Sequence, residues 1–160
     1  MPSSQQQPHP VANNQELEHF FAQGGALRML SATSAEDLAQ LASYASQLFA
    51  AGDYAAARNI YVLLTTLDHR HHEYLLGLGL CHQRLNAHHD ALDCFTRAGV
   101  NRVADPRAAF FAGLSLRLLG CEPQAQKAFK AAVMTSGQQT EFQEIKESAR
   151  RMLGNIKEAA

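Results

Sequence analysis

Six of the eight histidines, His69, His71, His72, His82, His88 and His89, fall in a stretch that also holds Cys81 and Cys94. Imidazole and thiolate together are the donor set of a zinc site, so metal binding is the first chemistry to weigh. The spacing argues against it. His71 and His72 lie at a turn, His88 and His89 begin a helix some 16 residues later, and no pair shows the i, i+4 placement with a carboxylate that a helical zinc site uses. The histidines therefore read as structural or solvated groups, several of which gain charge between about pH 7 and 6. A regulator built on bound zinc is the reading this sets aside. Cys81, Cys94 and Cys121 are odd in number and form no C-x-x-C, which makes them free thiols behaving as small buried hydrophobes. Nucleophile elbows, phosphate loops and suggestively placed carboxylate pairs are all missing, so neither catalysis nor a metal or other cofactor is expected.

The chemistry that remains is recognition by side chains set on a regular scaffold. Gly52, Asn86 and Gly120 are 34 residues apart, the period of the tetratricopeptide helix pair. Superimposing the stretches that begin at Leu38, His72 and Pro106 stacks Leu41/Leu75/Ala109, Tyr44/Leu78/Ala112, Leu48/His82/Leu116 and Leu64/Ala98/Ala132. Small residues recur at Ala45/Gly79/Gly113 and Ala57/Ala91/Ala125, where antiparallel helices approach closely. A ring recurs at Tyr61/Phe95/Phe129, expected to fill the gap between one repeat and the next. The fold class that follows is all-α: a tetratricopeptide solenoid of three helix pairs, with an N-terminal helical segment and a C-terminal capping helix.

Along the chain, residues 1–13 are built of Pro, Gln, Ser and Asn and read as a disordered tail. Residues 14–33 form a helical segment with Leu17, Phe20 and Phe21 on one face, broken at Gly24-Gly25 and followed by Leu27, Met29 and Leu30. Thr33 and Ser34 each precede an acid by three residues, which marks the first repeat helix near Ser34. The tetratricopeptide domain spans 34–158, with repeats at 38–71, 72–105 and 106–139. Intra-repeat turns fall at Ala51-Gly52-Asp53, Asn86-Ala87 and Gly120 to Pro123. Asp105 before Pro106 delays the third pair until just after the proline. From 140 to 158, Phe142, Ile145, Ala149, Met152, Leu153 and Ile156 recur at helical spacing, a face that covers the open end of the stack.

Composition agrees with such a rod. The chain has 160 residues, 46% of them apolar, and a formal net charge of −1. The charge divides into −3 for 1–37 (one arginine, four acids), +2 for 38–139 (nine against seven) and 0 for 140–160 (four against four). With no basic stripe, nucleic acid is not an expected partner. Without a signal-peptide pattern or an apolar run of about 18 residues, a cytoplasmic chain with no stable membrane insertion is expected.

The first helix of each pair lines the concave face, through positions two, five, nine and twelve of the repeat. These are Ala39, Ala42, Ser46 and Phe49, then Glu73, Leu76, Leu80 and Gln83, then Arg107, Phe110, Leu114 and Arg117. Adjacent residues on a helix point about 100° apart, so Leu75-Leu76 and Phe110-Phe111 cannot both serve one packing face. One of each pair faces the groove, and Leu76 and Phe110 are the expected ones; the competing reading makes these positions packed core. A floor of Phe49, Leu76, Leu80, Phe110 and Leu114 beside Glu73, Arg107 and Arg117 suits an extended peptide. Leu17, Phe20, Phe21 and Leu27 form a candidate self-association patch, or else pack on the first repeat.

Several stretches carry a family resemblance. They are Phe20-Phe21-Ala22-Gln23-Gly24-Gly25-Ala26-Leu27-Arg28-Met29-Leu30, Leu67-Asp68-His69, Gly77-Leu78-Gly79-Leu80-Cys81-His82-Gln83, Asp105-Pro106-Arg107 and the tail helix. With the three repeats, they resemble the class II chaperones of bacterial type III secretion, the SycD/LcrH family, over residues 14–156. The Gly-Gly-x-Leu-Arg-Met-Leu wording is similar to the subgroup serving intracellular-stage systems. The resemblance implies a cytosolic chaperone of a hydrophobic secreted translocator, holding a segment of the type Pro or Val-x-Leu-x-x-Pro in the groove. It also implies homodimers formed through the N-terminal region. Phe49, Leu76 and Phe110 are the positions onto which the family's groove maps. Ala42 and Ser46 depart from it, standing where other members carry aromatics, so the first-repeat pocket is either wider or shallower. The alternative is a tetratricopeptide adaptor that joins folded or regulatory partners.

Overall fold

The computed structural model describes Gln15, His19, Ala22, Gln23 and residues 33–158. The self-association residues Leu17, Phe20, Phe21 and Leu27 lie outside the described residues, as does the 1–13 tail. Among the described residues seven α-helices follow one another: α1 Ala35–Ala50, α2 Tyr54–Leu67, α3 His72–Arg84, α4 His88–Asn101, α5 Arg107–Leu118, α6 Glu122–Ser136 and α7 Gln143–Glu158. A 3-10 turn, Thr140–Phe142, leads into α7. Each helix packs on the next, and α3 also touches α1 and α5, so α1, α3 and α5 form the inner layer of a stack of pairs.

Local sequence sets the helix ends. Ser34 caps α1 in a reciprocal box: the Asp37 amide donates to Ser34 Oγ at 3.1 Å, and the Ser34 amide donates to Asp37 Oδ2 at 3.0 Å. The Asp53 carboxylate accepts from the Ala56 amide at the start of α2. The turn after α3 places Asn86 at φ +60, a left-handed conformation that Asn tolerates better than most side chains, and Gly52 and Gly120 fill the equivalent place at φ +87 and +76. Pro123 sits in the first turn of α6, where its missing amide proton costs nothing.

Three clusters make up the core, with Phe111 packed against both the second and the third. The first holds Leu38, Ala45, Ala57, Tyr61 and Leu64; the second Leu75, Leu76, Phe95 and Ala98; the third Phe110, Ala125, Phe129, Ala132 and Ala149. Close approach at the small-residue positions is literal. A methyl group on Gly79 would lie 2.5 Å from the Phe95 ring, and one on Gly113 would lie 2.6 Å from the Phe129 ring. These two rings pack on the glycine of their own helix pair, and they also reach the element that follows: the Phe95 ring lies 5.7 Å from that of Phe111, and Phe129 shares a cluster with Ala149 of α7. Tyr61 has Ala45 in place of glycine at the equivalent position of its own pair, and the two share the first cluster. Its ring lies over Gly77 of the following repeat, 2.4 Å from where a Cβ would be. The last helix, α7, closes the stack through Ala149, Ile145, Met152 and Leu153.

Candidate functional site: a row of cavities on the inner face

The inner layer carries three cavities, two of which share lining residues. The first, about 440 Å³, is lined by Ala39, Ala42, Ser46, Tyr61, Glu73, Leu76, Gly77, Leu80, Arg107 and Phe111. A smaller one of about 140 Å³ shares Ser46, Tyr61, Gly77 and Leu80 and adds Phe49. The third, about 760 Å³, lies toward the intra-repeat turns and is lined by Gln83, Arg84, Leu114, Arg117, Leu118, Glu122 and Met152. Ala42, Ser46, Phe49, Glu73, Leu76, Leu80, Gln83, Arg107, Leu114 and Arg117 thus all border one or another of these spaces.

Phe110 does not. It is buried, 7% exposed, within the third core cluster, and its ring lies 5.9 Å from that of Phe129. Its neighbour Phe111 turns into the first cavity instead. The physical reason is the end of the stack. Position five of a repeat packs toward the next inner helix, and after the third repeat that place is taken by α7, whose Ala149 shares the cluster with Phe110. Leu76 at the same position is also buried, 3% exposed, while still contributing to the cavity wall.

The first cavity has small residues on its α1 side and a polar floor. Ser46 Oγ and the Tyr61 hydroxyl are hydrogen-bonded at 3.0 Å, and the Tyr61 ring, lying against Gly77, forms part of the cavity wall. Burial pushes the Tyr61 phenol above its ordinary value, against the Ser46 hydrogen bond, so the hydroxyl stays protonated.

One rim is a charged cluster. Arg107 donates to both carboxylate oxygens of Glu73, at 2.5 and 3.1 Å, and to Asp105 at 2.6 to 3.1 Å. Asp105 is almost fully enclosed, and burial acts to raise its carboxyl. The bonds from Arg107, with help from His72, outweigh burial and hold it below the usual carboxylate value. Arg107 is shifted up in return, chiefly by its hydrogen bond to Asp105. His72 is buried beneath, with Nδ1 2.9 Å from the Ala98 carbonyl oxygen and Nε2 3.0 Å from Asp105 Oδ2. Both partners are acceptors, so the ring satisfies both bonds only when both nitrogens carry protons. The donor atoms of His72, Glu73 and Asp105 lie within 4.8 Å of one another. Their engagement by Arg107 and Ala98 makes this a structural tie between repeats. Cys81 and Cys94 are buried, and burial pushes each thiol up to about 11, the environment of inert packing groups. Burial also lowers His82, which disfavours its charged form.

Sequence reasoning missed Phe111, Tyr61, Gly77, Arg84 and Met152. The Phe110-Phe111 adjacency signals that one ring faces inward, but choosing between them requires knowing what covers the last repeat. The Gly77 signal was a glycine inside a helix facing an aromatic position of the preceding repeat.

No family model matches the chain. The low calcium response locus protein H of Yersinia pestis is 30% identical over 141 residues, 88% of this chain and 84% of that protein. A type III secretion complex from Aeromonas hydrophila contains a chain 30% identical, with a TM-score of 0.87 over 91% of this chain and 97% of that one. The Yersinia enterocolitica chaperone SycD, solved with a peptide of the translocator YopD, is 28% identical, with a TM-score of 0.76 over 79% of this chain and 97% of that one. Similarity to the protein H sequence and to the SycD structure extends over most of the chain, including the inner layer that carries the cavities. The chain therefore belongs to the SycD/LcrH family of class II type III secretion chaperones, an all-α, non-enzymatic family.

Proposed function

We propose that the inner groove holds an extended, largely apolar segment of a secreted translocator and thereby keeps that client soluble and export-competent in the bacterial cytoplasm. The observation that carries this reading is the row of three cavities along α1, α3 and α5, with apolar walls at Leu76, Leu80, Phe111 and Leu114 and polar groups at both ends. Spaced pockets along a concave face suit alternate side chains of an extended chain. A client with membrane-seeking segments would otherwise aggregate or insert, and shielding one segment needs no nucleotide. Among the described residues no helix is long and apolar enough to cross a membrane. Ordering a flexible segment costs about 2 to 5 kcal/mol of the gross interaction energy, which keeps affinity moderate and release feasible.

The test is co-expression with a candidate translocator, a large secreted protein with two long apolar stretches, followed by affinity purification and sizing. Ala42→Glu and Ser46→Glu place charge in the first cavity, from a half-buried and an exposed position of α1 respectively. Loss of a soluble complex with these variants, whose helix signal stays intact, is the expected result. A translocator that remains soluble alone, or binds the variants equally, would favour the adaptor reading. Self-association through Leu17, Phe20, Phe21 and Leu27 belongs to the same proposal. Leu17→Asp with Phe20→Asp in the full chain should give a soluble monomer.

A further inference from the structure

Arg84 ends α3 and points back along the stack, with its guanidinium carbon 5.9 Å from the ring centres of both Phe49 and Tyr54. Those two rings meet edge to face at 5.0 Å, so the cation rests on a formed aromatic ledge. Phe49 borders the small cavity and Arg84 borders the large one, which puts the guanidinium at their junction. The other arginines of the inner face are differently placed. Arg107 is engaged by Asp105 and Glu73, and Arg117 lies 3.8 Å from Glu122 and contacts Met152. Arg84 has neither a hydrogen bond nor a carboxylate within ion-pair distance among the described residues, and its donor fork is open to the groove.

We infer that Arg84 pairs with an acidic side chain of the bound segment, next to the apolar anchor that enters the cavities beside Phe49. A cation in the last turn of a helix is favoured by the helix dipole alone. That bland role does not require the guanidinium to lie over two rings of the preceding repeat, in line with the pockets. The rings fix its direction, and a planar fork held in place is suited to bidentate carboxylate recognition. Arg84 is then a specificity-determining residue that sets register and direction of the segment, while the apolar walls supply most of the affinity. The inference rests on the groove reading above.

The experiment uses the full-length protein against displayed random peptides of about ten residues, roughly 33 Å when extended. Wild type and Arg84→Glu are selected in parallel, with Arg117→Gln as a control. Expected is a wild-type pool with apolar anchors and an Asp or Glu at constant offset, and an Arg84→Glu pool with the same anchors and Lys or Arg at that offset. Changing the acid of a selected peptide to its amide should weaken binding to wild type about fivefold, as for a half-exposed ion pair, and leave binding to Arg84→Gln unchanged. Pools sharing anchors with no acidic preference, or a preference that follows Arg117 instead, would overturn the inference and leave the groove reading standing. No enrichment on wild type at all would remove both.

Discussion

The first and second repeats solve the same junction with different chemistry. Leu38, Leu64 and His71 stand 34 residues before His72, Ala98 and Asp105. In the first repeat Leu38 and Leu64 close the junction as buried apolar neighbours in one cluster. In the second, an imidazole bridges the Ala98 carbonyl and a buried carboxylate, and that carboxylate holds Arg107 at the rim of the groove. An apolar closure is indifferent to pH and says nothing to its surroundings. The charged closure links core packing to the placement of a groove residue, and it depends on ionisation. A repeat lattice fixes where groups meet, and it accepts either chemistry as long as each buried polar atom finds a partner.

The largest test contrasts neighbouring rings at the end of the stack. Phe110→Ala removes a core side chain beneath α7 and should cost about 3 to 5 kcal/mol in denaturant unfolding, with client binding to the folded fraction little changed. Phe111→Ala should lose less stability than Phe110→Ala, because its half-buried ring packs on the second and third clusters from the cavity side, and should lose most client binding. If both variants behaved alike, the division between packed and groove-facing rings would be wrong.

Asp105→Asn breaks the charged closure and should cost about 2 to 3 kcal/mol at neutral pH. Because the folded carboxyl titrates below its unfolded value of about 3.9, its stabilisation is complete above that value and disappears as pH falls through the folded one. The gap between wild type and Asp105→Asn should therefore close in acid. The deficit of Leu38→Ala, taken from the apolar closure, should not. Chemical denaturation from pH 7 down to about pH 3 separates the two.

Gly77→Ala should cost about 1 to 3 kcal/mol, since the new methyl group forces the Tyr61 ring toward the first cavity, and client affinity should fall with it. The smallest effect is expected for Arg102→Ala. Its contact with Glu73 is 3.7 Å between half-exposed side chains, and thermal unfolding should register no more than about 0.5 kcal/mol. A larger loss would extend the charged closure outward to the surface.

Much of this molecule is legible in one dimension because tetratricopeptide packing is nearly local. The period, the turns at Gly52, Asn86 and Gly120, the box at Ser34 and the start of α5 after Pro106 depend on residues within a helix pair, and the structure has them where the 34-residue register puts them. The inner-face positions follow from the same register, since a helix of known phase has only one side to offer the concavity. What the register leaves open is which neighbour covers a given side chain. Phe110 became core and Phe111 a cavity wall because α7 stands where a fourth repeat would begin, and the glycine of the next repeat that receives the Tyr61 ring, Gly77, is named only by the stacked helices. Likewise, the engagement of Arg107 and the open fork of Arg84 arise from groups far apart in sequence that only the stacked helices bring within reach. Periodicity is a property of the chain; coverage and charge pairing belong to the assembled surface, because both depend on distances across elements and not along one.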